Sequence, residues 1–217
     1  VFSMSKPLPL TSLILLGAGG HAKSCINLIE SIESFSIQGI LGRKEEVGDD
    51  LLGYKVIGTD NDLPNLVSES SKAIVTLGQI KSASSRISLY KLILSLDLIS
   101  PPLISPLASI SKHSEIGQGS VVMHGSLVNA SSEIGSNCIL NSQCIIEHDV
   151  VVGSHCHVST GVRLNGNVIV EEECFIGSGV TIREGVTIGK GSIIGMGENI
   201  FYDCPPGSII NTSRGLN

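Results

Sequence analysis

The stretch Ile134-Gly-Ser-Asn-Cys-Ile-Leu140-Asn-Ser-Gln-Cys-Ile-Ile146-Glu-His-Asp-Val-Val-Val152 decides the architecture of the second half of the chain. An aliphatic residue returns every six positions. Stepping by six in both directions gives Ile110, Ile116, Val122, Val128, Ile134, Leu140, Ile146, Val152, Val158, Leu164, Val170, Ile176, Ile182, Ile188, Ile194 and Ile200, without an insertion. If about a quarter of positions were aliphatic, chance agreement over this series would be on the order of one in a billion. Four residues after each aliphatic comes a small or β-branched residue, from Ser114 to Cys204, with Glu198 the exception. The residue that follows the aliphatic is often Gly or Asn (Gly117, Asn129, Gly135, Asn141, Gly153, Asn165, Gly177, Gly189, Gly195). These types tolerate the strained backbone of tight turns, and the sequence predicts that role for them. Six-residue units of this kind fit three to a coil, so the series predicts slightly more than five coils of a triangular parallel β-helix.

Composition agrees with a narrow interior. The 217 residues are 41% hydrophobic but only 3% aromatic, with no Trp and 25 Gly, so Ile, Leu and Val must fill the core. Five of the six cysteines (Cys138, Cys144, Cys156, Cys174, Cys204) fall on the small inward position, where a thiol acts as a compact apolar group. They are read as reduced and structural, in a cytoplasmic protein, with no metal. Charged residues are 16% and the net charge is −6, which argues against disorder and against a basic nucleic-acid footprint. Mean hydropathy is +0.33, yet no apolar run approaches the roughly 18 residues of a spanning helix. Residues 1–12 are read as an extension before the first strand, not a signal peptide.

The first half alternates strands and helices. Leu13-Ile-Leu-Leu16 predicts a strand that ends at Gly17-Ala-Gly-Gly-His21, followed by a helix over 22–32. Further strands are predicted over 37–41, 54–57 and 73–77, the last ending at Gly78-Gln79. Residues 84–96 have helical spacing at Ile87, Leu89, Tyr90, Ile93 and Leu94, and Ser100-Pro-Pro is a linker. This pattern implies a parallel sheet with ligands at the C-terminal ends of its strands. Gly17, Gly19 and Ala22 fit G-x-G-x-x-A, but the second strand ends Leu41-Gly-Arg43 without the acidic residue that would hold an adenosine ribose. Glycine-rich backbone at a helix N-terminus suits a phosphate. A nucleotide diphosphate is therefore favoured over NAD, with a purely structural turn as the remaining reading.

With the motifs Gly17-Ala-Gly-Gly-His21, Gly78-Gln79, Asn141-Ser-Gln-Cys-Ile-Ile-Glu-His-Asp149, Val152-Gly-Ser-His-Cys-His-Val-Ser-Thr-Gly161 and Gly166-Asn-Val168 in order, the chain resembles the bacterial sugar acetyltransferases of the bacillosamine N-acetyltransferase and sialic-acid O-acetyltransferase type. The resemblance covers nearly the whole chain. It implies a small Rossmann-like α/β domain (1–100) that binds a nucleotide sugar, then a left-handed parallel β-helix (101–217) that binds acetyl-CoA and carries catalysis. It implies homotrimers with active sites between subunits and, as activity, acetyl-CoA-dependent N-acetylation of a nucleotide-linked amino-deoxy sugar in surface-glycan biosynthesis. His148 is the expected general base, removing a proton from the attacking amine in a direct transfer, with Asp149, or else Glu147, holding its tautomer. Gly17, Gly19, Gly20, His21, Gly78 and Asn141 are expected on the sugar nucleotide. His157, Gly166, Ser178 and Met196 are expected along CoA, with the Gly166 amide at the oxyanion. His113 and His124 are read as solvated. Acidic residues that relatives carry after the second strand are replaced by Gly42-Arg43, and the usual C-terminal turn is replaced by Pro205-Pro-Gly-Ser-Ile-Ile, beyond which Arg214 could meet a CoA phosphate.

Three other readings remain. O-acetylation of a sialic-acid-like sugar changes only the acceptor atom. A γ-carbonic-anhydrase-like zinc lyase would use His148, His155 and His157 as ligands. A nucleotide-sugar-binding scaffold would bind without transfer.

Overall fold

The computed structural model describes residues 10–68 and 71–211. Most of the N-terminal extension, together with Arg214, lies outside the described residues.

The first unit contains β1 (Thr11–Leu16), α1 (Gly20–Glu30), β2 (Phe35–Leu41), β3 (Asp50–Leu51), β4 (Tyr54–Gly58), α2 (Leu63–Leu66), β5 (Lys72–Val75) and α3 (Ser84–Ser95). The sheet order is β3-β4-β2-β1-β5, parallel except for the β3–β4 pair. The continuous apolar run of β1 follows from burial on both faces. Leu13 and Leu15 pack with Cys25, Ile26 and Ile29 of α1, while Ile14 and Leu16 join Tyr90 and Ile93 of α3 on the other side. Helix α1 starts two residues before the expected 22, because Gly19 is its extended N-cap, and it stops at Glu30, where the Ser31 hydroxyl donates to the Leu28 carbonyl at 2.6 Å. Leu94, expected on the buried face of α3, is exposed; that face is instead Arg86, Tyr90 and Ile93.

From Leu103 onward the chain forms a left-handed parallel β-helix of two-residue strands in three sheets of seven, six and five. The first face runs from Leu103–Ile104 through His157–Val158 to Ile209–Ile210, the second from Ser109–Ile110 through Ile145–Ile146 to Asn199–Ile200, and the third from Glu115–Ile116 through Val151–Val152 to Thr187–Ile188. From Ile110 to Ile200, the second residue of every strand is an aliphatic of the six-residue series, and these side chains form one core.

The small inward residue has a second function that explains why Ser and Cys share it. Ser120 donates to the Gly135 carbonyl (2.7 Å) and Ser126 to that of Asn141 (2.9 Å). The thiols of Cys138, Cys156 and Cys174 donate to the carbonyls of Gly153 (3.1 Å), Glu171 (3.0 Å) and Gly189 (3.2 Å). Either group satisfies a corner carbonyl that an aliphatic side chain would leave unpaired. All six cysteines are free and buried.

The Gly and Asn positions after the aliphatic have a different cause from the one expected. Positive φ occurs two residues later, at Gly119, Gly125, Ser131, Asn137, Gln143, Asp149, His155, Gly161 and Asn167 among others. The glycine directly after the aliphatic is demanded by close approach of coils. A Cβ on Gly135 would stand 2.5 Å from the Ser154 amide nitrogen, and one on Gly177 would stand 2.6 Å from that of Met196. Asn at the same position bonds to backbone, as Asn165 Nδ2 does to the Ile182 carbonyl at 2.8 Å.

The first unit covers the first face. Leu103, Val121 and Ile139, which point outward from it, are fully buried, and Leu103 and Val121 join the core beneath α1. The cover reaches both edges of that face. Tyr90 Oη donates to the Gln118 carbonyl (3.2 Å) at one edge. At the other, His124 is held by Ser105 Oγ on Nδ1 (2.6 Å) and Asn27 Oδ1 on Nε2 (3.1 Å). His124 is thus an interdomain tie and not the solvated residue expected, whereas His113 is exposed.

Candidate active site

His148 lies at the edge between the second and third faces, in the corner joining the strands Ile145–Ile146 and Val151–Val152. This edge is opposite the covered face. The Asp149 N–H donates to the Ala130 carbonyl one coil before (3.1 Å), and the His148 carbonyl accepts from the Asn167 N–H one coil after (3.1 Å). The side chain is 58% exposed, and its Nδ1 is 2.7 Å from Asp149 Oδ2. A proton on Nδ1 is therefore donated to the carboxylate, which leaves Nε2 as the basic nitrogen. Glu147, the other candidate orienting group, is engaged by Asn129 Nδ2 at 3.0 Å. The ring rests on Gly166: a Cβ there would stand 2.7 Å from His148 Cε1 and 2.8 Å from Nε2.

A cleft of about 490 Å³ opens at the C-terminal ends of β1, β2 and β4, lined by Gly17, Gly19, Gly42, Arg43, Glu46 and Asp60 among others. Gly17 is required by its φ of +118° and by contact, since a Cβ would meet the Leu77 nitrogen at 2.9 Å. The N-terminus of α1, with no side-chain cap, faces this space through Gly19. The acidic groups missing directly after β2 arrive a few residues later: Glu45, Glu46 and Asp60 all line the cleft. Glu46 Oε2 accepts from the Arg43 N–H at 2.7 Å, and burial pushes the Asp60 carboxyl up. Spacing alone could not reveal these residues, because a short turn and β4 fold them back onto the glycines.

His21 and Gly78 do not line the cleft. They belong to a seam between the two units, with a Cβ on Gly78 3.5 Å from that of His21. His21 is 3.5 Å from Cys25 Sγ, and its ring is 6.4 Å from that of His157. His157 is buried, donates from Nδ1 to the Gln79 carbonyl (2.7 Å), and packs edge-on against Phe175. Burial lowers the pKa of His157 to about 4, with Arg86 acting in the same sense against the Gln79 carbonyl. Burial likewise lowers His21 to about 3, aided by Arg86 and His157. Arg86 itself is buried and donates to the carbonyls of Leu77 and Asn137 and to Asn137 Oδ1 (2.8 Å). Asn137 passes the connection on to His155 Nδ1 at 3.0 Å. Sequence reading missed Arg86 and Asn137; the spacing of Arg86 four residues before Tyr90, on the buried stripe of α3, was the available signal.

Asn141, Ser178 and Met196 align along the third location, the edge between the first and second faces, where the Ser178 carbonyl accepts from the Gly197 N–H (2.9 Å). Ser178 and Met196 are exposed there. One chain therefore brings His148, Asp149 and Gly166 together, and Gly17 and Gly19 together, but keeps these groups apart. His148, His155 and His157, the ligand set of the zinc reading, occupy one edge, another edge and the covered face, and the described residues hold no cluster of three or more metal-ligating side chains.

The coiled array of hexads is that of the hexapeptide-repeat transferases: the profile for bacterial transferase hexapeptides (six repeats) matches residues 131–166 and 167–197. The profile of the PglD N-terminal domain matches residues 12–91. The acetyltransferase domain of PglB from Neisseria gonorrhoeae is similar over 94% of this chain and 98% of its own, at 31% identity and a TM-score of 0.86, and it has also been solved with acetyl coenzyme A. PerB from Caulobacter crescentus, solved with CoA and GDP-perosamine, is 29% identical over 94% of this chain and 95% of its own, with a TM-score of 0.84. WeeI from Acinetobacter baumannii, at 22% identity and a TM-score of 0.64, shares the fold. Among curated proteins none matches the chain by sequence. The chain belongs to the PglD-like family of hexapeptide-repeat sugar acetyltransferases.

Proposed function

We propose that the protein transfers the acetyl group of acetyl-CoA to the amino group of a nucleotide-linked amino-deoxy sugar, with His148 as general base. The observation that carries this reading is the pairing of His148 Nδ1 with Asp149 at 2.7 Å, which reserves Nε2 for the acceptor on an exposed edge. The neutral amine adds to the thioester carbonyl, and Nε2 takes the proton the nitrogen loses. The Gly166 amide stabilises the oxyanion; collapse expels the CoA thiolate, which collects a proton from the imidazolium. Asp149 stabilises that imidazolium while it lasts.

The sugar nucleotide is held by the first unit, residues 1–100, with its diphosphate at the α1 N-terminus beside Gly17 and Gly19. The cleft volume lies within the usual range for small-molecule sites. Residues 101–217 supply catalysis and the CoA groove. Because the cleft and His148 lie on different sides of one chain, a working site takes its sugar from one subunit and its base from the next. The edge carrying Asn141, Ser178 and Met196 completes the groove, in a homotrimer. His21, Gly78 and His157 shape the seam that connects cleft and groove, and Gly20 follows Gly19 at the exposed α1 N-terminus. The protein works in the cytoplasm on precursors of a surface glycan; no helix among the described residues is long and apolar enough to cross a membrane.

A panel of UDP-, GDP-, dTDP- and CMP-linked amino sugars with acetyl-CoA, read by thiol release, tests the reading. Turnover with a 4-amino sugar supports it. Turnover confined to hydroxyl acceptors of the sialic-acid type would replace it with O-acetylation, and binding without turnover would reduce the protein to a scaffold.

A further inference from the structure

Three carboxylates among the described residues line the cleft of the first unit, Glu45, Glu46 and Asp60, and they differ in what they touch. Glu45 and Glu46 pair with the Arg43 side chain at 3.7 Å and 3.8 Å, and Glu46 Oε2 also accepts from the Arg43 N–H. Asp62, on the same turn as Asp60, is engaged by the Thr59 N–H (2.8 Å) and hydroxyl (2.9 Å). Asp60 is half-buried in the cleft wall, and no donor among the described residues reaches its carboxylate. Burial pushes this carboxyl above the usual range with nothing acting against it, so it lacks the partners that a desolvated carboxylate needs.

The sheet order sets how far Asp60 stands from the glycines. It follows β4 by two residues, and β4 lies beyond β2 as seen from β1. At about 4.8 Å per strand, the end of β4 is roughly 10 Å from the end of β1 and its glycine turn. Between them, over the end of β2, stands Glu46: a Cβ on Gly42 would meet its Oε2 at 2.8 Å, so the glycine leaves the room that this carboxylate fills. A diphosphate at the α1 N-terminus then puts the ribose at the level of Glu46 and the base at Asp60. An ionised carboxylate only accepts, through two oxygens side by side. Guanine is the common base with two adjacent N–H donors, N1–H and the 2-amino group. Uracil and thymine present one N–H between two carbonyl oxygens. Cytosine and adenine present an amino group beside a ring nitrogen whose lone pair would face the carboxylate.

We propose that Asp60 selects guanine, so that the acceptor is a GDP-linked amino sugar. The two carboxylate oxygens accept from N1–H and from the 2-amino group as a parallel pair, which supplies the donors that Asp60 lacks. This inference rests on the reading of the cleft as the sugar-nucleotide site.

Calorimetry on the full-length protein with GDP, UDP, dTDP and CDP, without acetyl-CoA, tests the selection apart from the transfer chemistry. GDP is expected to bind about 10- to 100-fold more tightly than the other three. Inosine diphosphate, which lacks the 2-amino group, should bind the wild type about tenfold more weakly than GDP. In Asp60→Asn the side chain offers one acceptor and one donor, which match N1–H and the 2-carbonyl of xanthine. That variant should lose about 10- to 100-fold in GDP affinity. It should also bind xanthosine diphosphate more tightly than the wild type does, a gain that a folding defect cannot produce. Equal or tighter binding of UDP, dTDP or CDP overturns the selection while the cleft remains a nucleotide site, and so does a GDP preference that Asp60→Asn leaves intact. If none of the diphosphates binds, the sugar-nucleotide reading of the cleft fails as well.

Discussion

The imidazole of His148 lies against the backbone of Gly166, so near that a single methyl group on that glycine would stand 2.7 Å from Cε1. Gly166 is one coil beyond His148, and its φ is not in the left-handed region, so contact with the ring, not backbone conformation, is what keeps this position free of a side chain. Gly166→Ala should therefore displace the ring while the coil stays folded. A fall in kcat of about 10-fold or more is expected, with Tm lowered by only a few degrees. Steady-state kinetics beside thermal melts check this; unchanged kcat would show that ring position does not matter.

Asp149→Asn tests the orienting carboxylate. The amide keeps the size of the side chain but removes the charge that stabilises a protonated His148. The expected outcome is a kcat reduced by about 10- to 100-fold with little change in KM for acetyl-CoA, whereas Glu147→Gln, which touches Asn129 instead, should have a much smaller effect.

The buried histidines predict acid sensitivity. His157 titrates near 4 in the fold against about 6.5 in the unfolded chain, so below 6.5 the unfolded state takes up a proton that the native state refuses. Its contribution to stability is complete above pH 6.5 and is lost as pH falls from 6.5 to about 4, a change on the order of 3 kcal/mol. His21, lowered to about 3, acts in the same direction over a wider window. Melting curves from pH 7 to 4 should show the decline, and His157→Gln should flatten it. An equal slope in that variant would assign the acid loss to other groups.

Two glycines separate the two demands of the coil. Gly135→Ala drives a Cβ to 2.5 Å from backbone of the next coil and should cost more than about 2 kcal/mol. Gly161→Ala has open space around its Cβ and only a φ of +68° to oppose it, at a cost of about 1 kcal/mol. Denaturant unfolding of both variants should rank them in that order.

This distinction marks where sequence reading stopped. A strict period in Ile, Leu and Val was legible because stacked coils repeat one environment, and the inward Ser and Cys followed from the same register. The cause of the glycines was not legible, since close approach between coils involves residues a full coil apart, as Gly135 and Ser154 are. His148 and Asp149 were found because they are adjacent in the chain and Nδ1 reaches the neighbouring carboxylate. Arg86, Asn137 and His124 were missed or misread because the pairings Arg86–Asn137 and Asn27–His124 form only when the first unit covers the first face of the helix, while His155 and Ser105 reach Asn137 and His124 from a neighbouring coil. The carboxylates of the cleft were hidden by the same kind of return, through the turn after β2 and the end of β4.

Acetyl transfer as proposed turns on Nε2 of His148 taking the proton of the sugar amine. Thiol release at saturating acetyl-CoA and amino-sugar nucleotide, in the wild type and in His148→Ala, measures it most directly. A kcat lowered by about 10²–10⁴-fold is expected in a variant that still binds CoA. Near-normal turnover in His148→Ala would contradict it.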